Sequence, residues 1–226
     1  MTKPLVIFDC DGVLVDSEGL SAQVMWEMAG QEGLAFSPEQ ALAFIRGRKV
    51  AEWVGQLEVR LGRALPSGFV PRFRTRTAEL FATELRAVPH VREVIDGLRL
   101  PFCTASSAPR EKILNTLGLT GLLPFFQGRI YSAYEVGSWK PEPGLFLHAA
   151  ADLDVPADGC AVVEDSVVGV IAGRAAGMTV FGYAPPESGT AAELRAEGAT
   201  VFGSMAELPE LLGRWTAQGP VRHATR

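Results

Sequence analysis

Cysteine is scarce in this 226-residue sequence, with Cys10, Cys103 and Cys160 the only three. An odd count in apolar segments, without metal-ligand spacing, excludes a disulfide framework and a thiolate metal site. The three read as small buried hydrophobes of a reducing compartment. Positive charge is short as well. Lys and Arg total 21 against 26 Asp and Glu, a net charge of −5, so neither nucleic acid nor an anionic membrane is expected as a partner. Long apolar runs are missing, since none approaches the roughly 18 residues of a membrane span. The opening MTKPLVIFDCDG has no signal-peptide core, because Asp9 and Asp11 interrupt it at once. Gly169, Gly173 and Gly177 recur at every fourth residue, but Glu164, Asp165 and Arg174 around them exclude a membrane helix. No internal repeat or low-complexity tract is present. The expectation is a soluble, cytoplasmic protein acting on a small molecule, with the oligomeric state left open.

The 47% hydrophobic content suffices for one large domain or a domain carrying an insertion. Short apolar runs predict strands at Pro4–Phe8, Leu100–Thr104, Arg129–Ser132, Cys160–Val163 and Thr179–Gly182, with Thr200–Phe202 a weaker sixth. From Val91 they alternate with helical patterns over Val91–Leu98, Arg110–Leu117, Pro143–Leu153, Val168–Ala176 and Thr190–Ala196. Gly118 and Gly177 stand where helix C-caps are expected, and the tail after Trp215 is expected to fray. Such alternation argues for an α/β fold, a doubly wound parallel sheet covered on both faces. One stretch breaks the rhythm. Residues 17–85 contain no convincing strand and read as amphipathic helices over Leu20–Ala29, Pro38–Ile45, Val50–Leu61 and Val70–Leu85, with Asp16 and Ser17 as N-cap candidates. The economical division is a core of residues 1–16 and 86–226 with an inserted helical domain at 17–85.

Ligands of an open parallel sheet bind beyond the carboxyl ends of its strands. Asp9, Asp11 and Gly12 follow the first predicted strand, Ser106 and Ser107 the second, Glu164 and Asp165 the fourth. Lys140 precedes the helix opening near Pro143. Four carboxylates converging from two strands would repel one another severely without a cation among them, and all-oxygen ligation suits Mg²⁺. Lys140 and the Ser106 hydroxyl would complete a phosphate cradle opposite the metal.

The segments DCDGVLVDSE (Asp9–Glu18), TASS (Thr104–Ser107), WKPEP (Trp139–Pro143) and VVEDSVVGVIAGRAAGM (Val162–Met178) resemble the four motifs of the haloacid dehalogenase superfamily, in order. The chain is similar to its helical-cap branch of β-phosphoglucomutase and sugar-phosphate phosphatases, and WKPEPGLFLHAA most resembles the 6-phosphogluconate phosphatase type. The resemblance implies a Rossmann-like core and a Mg²⁺-dependent phosphatase acting on a small phosphorylated metabolite. It implies Asp9 as nucleophile and Asp11 as acid and base. Mg²⁺ falls to Asp9, the Asp11 carbonyl and Asp165, with Glu164 acting through water. Ser106, Lys140 and backbone N–H groups near Asp11, Gly12 and Ser107 would hold the phosphoryl oxygens. Arg46, Arg48 and Lys49 lie in the cap loop that the family places over its site, and are candidates for a second anionic group of the substrate.

Other residues read as structural. His148 lies in an apolar helical context and is expected to pack, as are Trp26, Trp53 and Trp139, while His90 stands where related chains often carry Gly. Arg72, Arg74 and Arg76 read as solvated surface. A dehalogenase lacks the second motif-one Asp. A β-phosphoglucomutase-type phosphotransferase is the nearer alternative, although Ser21 stands where such mutases often carry a cap His and Val50 near their phosphate-binding Arg. A phospho-acceptor receiver module needs neither Asp11 nor the insertion.

Overall fold

The chain's first strand, LVIF, is buried at all four residues, as a strand covered on both faces must be. The computed structural model describes residues 4–46, 48 and 50–218. In chain order the elements begin with β1 (Leu5–Phe8), α1 (Glu18–Gln31), α2 (Pro38–Ile45), α3 (Val50–Leu61), α4 (Phe69–Glu84) and α5 (Val91–Gly97). There follow β2 (Phe102–Ser106), α6 (Arg110–Leu119), α7 (Leu123–Phe126), β3 (Ile130–Ser132), α8 (Ala133–Val136) and α9 (Gly144–Asp152). The chain continues with β4 (Cys160–Glu164), α10 (Val167–Ala175), β5 (Thr179–Tyr183), α11 (Ala191–Ala196), β6 (Thr200–Phe202) and α12 (Leu208–Gln218). Two compact units result: Met1–Val15 with Ala87–Arg226, and Asp16–Arg86.

The first unit is a six-stranded sheet of order β3-β2-β1-β4-β5-β6, with every pairing parallel. Chain order runs outward from β1 in one direction to β3, then restarts at β4 on its other side. The switch point therefore lies between β1 and β4, where a doubly wound sheet opens a crevice. Register puts Ile7 between Cys103 and Val162. Leu5, Ile7, Cys103, Ala105, Val162 and Val170 pack into the core of one face. Phe8, Phe102 and Phe126 meet edge to face with centroids 5.3–6.5 Å apart.

The second unit is all helical, and its core gathers Met25, Met28, Phe44, Trp53, Leu57, Phe69 and Phe73. Trp53, 2% exposed, lies 5.0 Å from the Phe73 ring and 6.4 Å from Phe69. Helix α2 starts with a capping box: Gln40 N–H donates to Ser37 Oγ and Ser37 N–H to Gln40 Oε1.

Several boundaries move for identifiable reasons. Strand β2 begins at Phe102 instead of Leu100, because Pro101 has no N–H for the ladder; its carbonyl still accepts from Val6 N–H at 3.0 Å. Gly118 lies inside α6, which runs to Leu119; the left-handed glycine after it is Gly121 at φ 69°. Gly177 does take a left-handed φ of 75°, just past the end of α10. Helices α7, α8 and α12 were not anticipated, and α12 carries the chain helically past a buried Trp215 to Gln218. Ser17 occupies the α1 N-cap position without a side-chain capping bond. All three cysteines are buried and free. Among the described residues, no helix is long and apolar enough to cross a membrane.

Candidate active site

Backbone geometry puts Asp9 at the switch point. Its N–H donates to Val163 O at 2.9 Å, so the residue leaving β1 is still tied to β4. The chain then turns at once: Leu14 and Val15 N–H both donate to Cys10 O, and Gly12 N–H donates to Val15 O at 2.8 Å. Asp11 is thus part of a tight turn. Gly12 has φ +78°, and a Cβ there would stand 2.1 Å from Asp165 Oδ2. Only glycine fits. Its N–H donates within the loop, to Val15 O.

Glu164, the last residue of β4, is wholly buried. Its Oε2 accepts from the N–H groups of Asp165 and Ser166 and from Ser166 Oγ–H at 2.9–3.0 Å. Ser166 Oγ in turn accepts from Gly169 N–H and caps α10. A Cβ on Gly169 would fall 1.9 Å from the Glu164 carboxyl carbon, so this glycine makes room for the acid. Lys140 Nζ reaches both Asp9 Oδ1 and Glu164 Oε1 at 2.5 Å and lies 5.0 Å from the Phe146 ring centroid.

Asp9, Glu164 and Asp165 each bring a carboxylate oxygen within 4.8 Å of the others. Asp11 does not join that cluster, although four carboxylates were expected to converge. Its two oxygens each accept from Lys112 Nζ at 2.9 Å. Lys112 and Ser166 are the residues the sequence reading missed. The only sequence signal for Lys112 is its place on the first turn of α6, just after the Ser106–Ser107 loop. Ser106 is buried and its Oγ accepts from Ala108 N–H at 3.1 Å; Ser107 is half-buried.

Burial raises the Asp9 carboxyl most, helped by the charge of Glu164 and opposed by Lys140, to about 7. Burial alone would push Lys140 and Lys112 down, but the carboxylates beside them outweigh it and hold both raised. Asp9, Asp11, Glu164 and Asp165 with Lys112 and Lys140 carry a joint charge of −2 when ionised, which one divalent cation balances. The donor set is all oxygen, the chemistry that hard cations such as Mg²⁺ prefer.

Elsewhere the candidates separate. Within the helical unit, Arg46 pairs with Glu18 at 2.7 Å. Arg48 donates to Phe44 O and Gln56 Oε1. Lys49 lies outside the described residues. Arg72 and Arg74 are exposed, and Arg76 pairs with Glu27 at 2.5 Å. His148 is exposed instead of packed, its ring edge-on to Tyr131 at 5.8 Å. Trp26 is 38% exposed and donates to Phe36 O, while Trp139 meets Tyr134 edge to face with centroids 5.5 Å apart. His90 is exposed in a left-handed conformation, φ 66°, which suits glycine better.

Residues 3–177 match the model of the haloacid dehalogenase-like hydrolases. The chain is 32% identical over 216 residues to the 6-phosphogluconate phosphatase of Escherichia coli K12, covering 95% of each. It is 30% identical over 189 residues to hexitol phosphatase A of the same organism, covering 80% of this chain and 82% of that one. A haloacid dehalogenase-like protein from Agrobacterium tumefaciens superposes with a TM-score of 0.85 at 32% identity, over 95% of this chain and 100% of that one. A HAD family hydrolase from Deinococcus radiodurans R1, solved with bound phosphate and sodium, gives 0.81 at 31% identity, over 97% and 99%. With its switch-point carboxylates, its 3-2-1-4-5-6 sheet and these relatives, the chain belongs to the haloacid dehalogenase-like hydrolases and is an enzyme of their phosphatase kind.

Proposed function

We propose that this protein is a Mg²⁺-dependent phosphomonoesterase that hydrolyses small sugar or sugar-acid phosphates through an aspartyl-phosphate on Asp9. The observation that carries the reading is the buried Asp9 carboxylate, gripped by Lys140 and clustered with Glu164 and Asp165. Asp9, Asp165 and the Asp11 carbonyl would hold the metal. Glu164 stands behind them, since both its oxygens already accept from protein donors. Bound there, Mg²⁺ supplies Lewis-acid screening between a carboxylate nucleophile and a phosphate dianion.

The steps fall to the chain's own side chains. Asp9 attacks phosphorus, and the bond to the ester oxygen breaks as Asp11 gives that oxygen a proton. Asp11, now a carboxylate, takes a proton from water as the water attacks phosphorus, and inorganic phosphate leaves with Asp9 restored. Lys140 neutralises the phosphoryl charge, with the Ser106 hydroxyl and the Ser107 N–H completing the cradle.

The similarity to a 6-phosphogluconate phosphatase over 95% of both chains favours a sugar-acid phosphate as substrate and hydrolysis over mutase chemistry. Arg46 and Arg48 already have partners inside the helical unit, which lowers what they offer a second anionic group. Phosphate release from a sugar-phosphate panel tests the reading. With Mg²⁺ the protein should turn over 6-phosphogluconate at a higher kcat/KM than glucose 6-phosphate, and EDTA should abolish both. Full turnover in EDTA, or isomerisation of β-glucose 1-phosphate without phosphate release, contradicts it.

A further inference from the structure

Two aspartates two residues apart must do different work in this site, and each is held by its own lysine. Lys140 grips Asp9. Lys112, from the first turn of α6, meets both oxygens of Asp11 at 2.9 Å across 101 residues of sequence. The turn that carries Asp11 is fixed by backbone bonds from Gly12, Leu14 and Val15, so the side chain keeps few freedoms besides its own rotation. Asp9, Glu164 and Asp165 lie close by, and any cation drawn to them also attracts a loose Asp11 carboxylate. We infer that Lys112 is a positioning residue: its two contacts hold the Asp11 carboxylate apart from the metal-capable cluster, and once one Asp11 oxygen takes a proton from solvent, the contact to the other oxygen keeps the acid aimed at the leaving group. The inference rests on the acid–base role proposed for Asp11.

Asp9 is held by Lys140, and Ser106 Oγ accepts from Ala108 N–H, so loss of Lys112 should injure chiefly the step that needs a proton. Misaiming a reacting group by about 1 Å costs on the order of 100-fold. The test compares kcat/KM for an alkyl ester, glucose 6-phosphate, with that for p-nitrophenyl phosphate, whose leaving group needs no proton. This ratio reports only the steps through transfer to Asp9, so the later hydrolysis does not enter. Lys112→Met should lower the alkyl ester about 10–100-fold and the nitrophenyl ester less than about threefold, with Lys112→Arg recovering most of the loss. In an Asp11→Asn background, Lys112→Met should cost the alkyl ester almost nothing further, because residues acting as a unit are not additive. Equal losses on both esters, or losses that add in the double variant, overturn the inference. Circular dichroism identifies a variant that has lost its fold, and Lys112→Gln, which keeps a polar chain without the charge, then carries the comparison. Wild-type protein that releases no phosphate from either ester overturns the phosphatase reading itself, a result distinct from either of these.

Discussion

At the scale of single residues, the proposed nucleophile is a carboxyl group that its surroundings make reluctant to ionise. Burial and the neighbouring Glu164 raise Asp9 to about 7 against the pull of Lys140. A cation at the cluster must displace that proton before Asp9 ligates it. Below about pH 7 the proton is held and competes; above it the carboxylate is free to bind. Mg²⁺ affinity, read by calorimetry, should therefore weaken toward about tenfold per pH unit below 7 and level off above 8. A flat profile from pH 5.5 to 8 would show that Asp9 is not among the ligands. Asp9, Glu164, Asp165 and Lys140 were legible in the sequence because the three acids stand at the ends of predicted strands and the lysine shortly precedes a predicted helix. Lys112 was not. A lysine on an exposed-looking helical turn carries no local mark of its partner 101 residues away.

Elements were read best where one signal dominated. Pro38–Ile45 and Val50–Leu61 agree with α2 and α3 at both ends, the former because Ser37, Pro38 and Gln40 together spell a helix start. Short helices such as α7 and α8 span four residues, less than the periodicity needed to announce them. Glycine was ambiguous for a physical reason: the sequence does not say whether it serves φ, space or neither. The structure divides the cases. Gly118 lies exposed within α6 with nothing within 4 Å of an added Cβ, so Gly118→Ala should stabilise the protein by about 0.5–1 kcal/mol. Gly12→Ala meets both a left-handed φ and Asp165 Oδ2 at 2.1 Å. It should lower the melting temperature and weaken Mg²⁺ binding together. Thermal unfolding of the two variants checks both, and a stabilised Gly12→Ala would contradict the packing described for the turn.

For the whole molecule, the sheet order sets where chemistry belongs. With β1 flanked by β2 and β4, the carboxyl ends of two strands from distant parts of the chain supply Asp9 and Asp165 to one crevice. The alternation of apolar runs and helical patterns announced a parallel sheet, and the strand-free stretch announced a separate helical unit. Pairing order and the turn that follows Asp9 emerged only from the fold, because they depend on contacts between segments rather than on any one of them. In the proposed reaction Asp9 takes the phosphoryl group. Rapid quenching during turnover of 6-phosphogluconate with Mg²⁺, followed by borohydride reduction, converts an aspartyl-phosphate to homoserine that peptide mass spectrometry can place. Homoserine should appear at position 9 only when substrate and Mg²⁺ are both present, and not in Asp9→Asn, which should also lose turnover. Sustained turnover with position 9 unmodified, or an active Asp9→Asn, would contradict it.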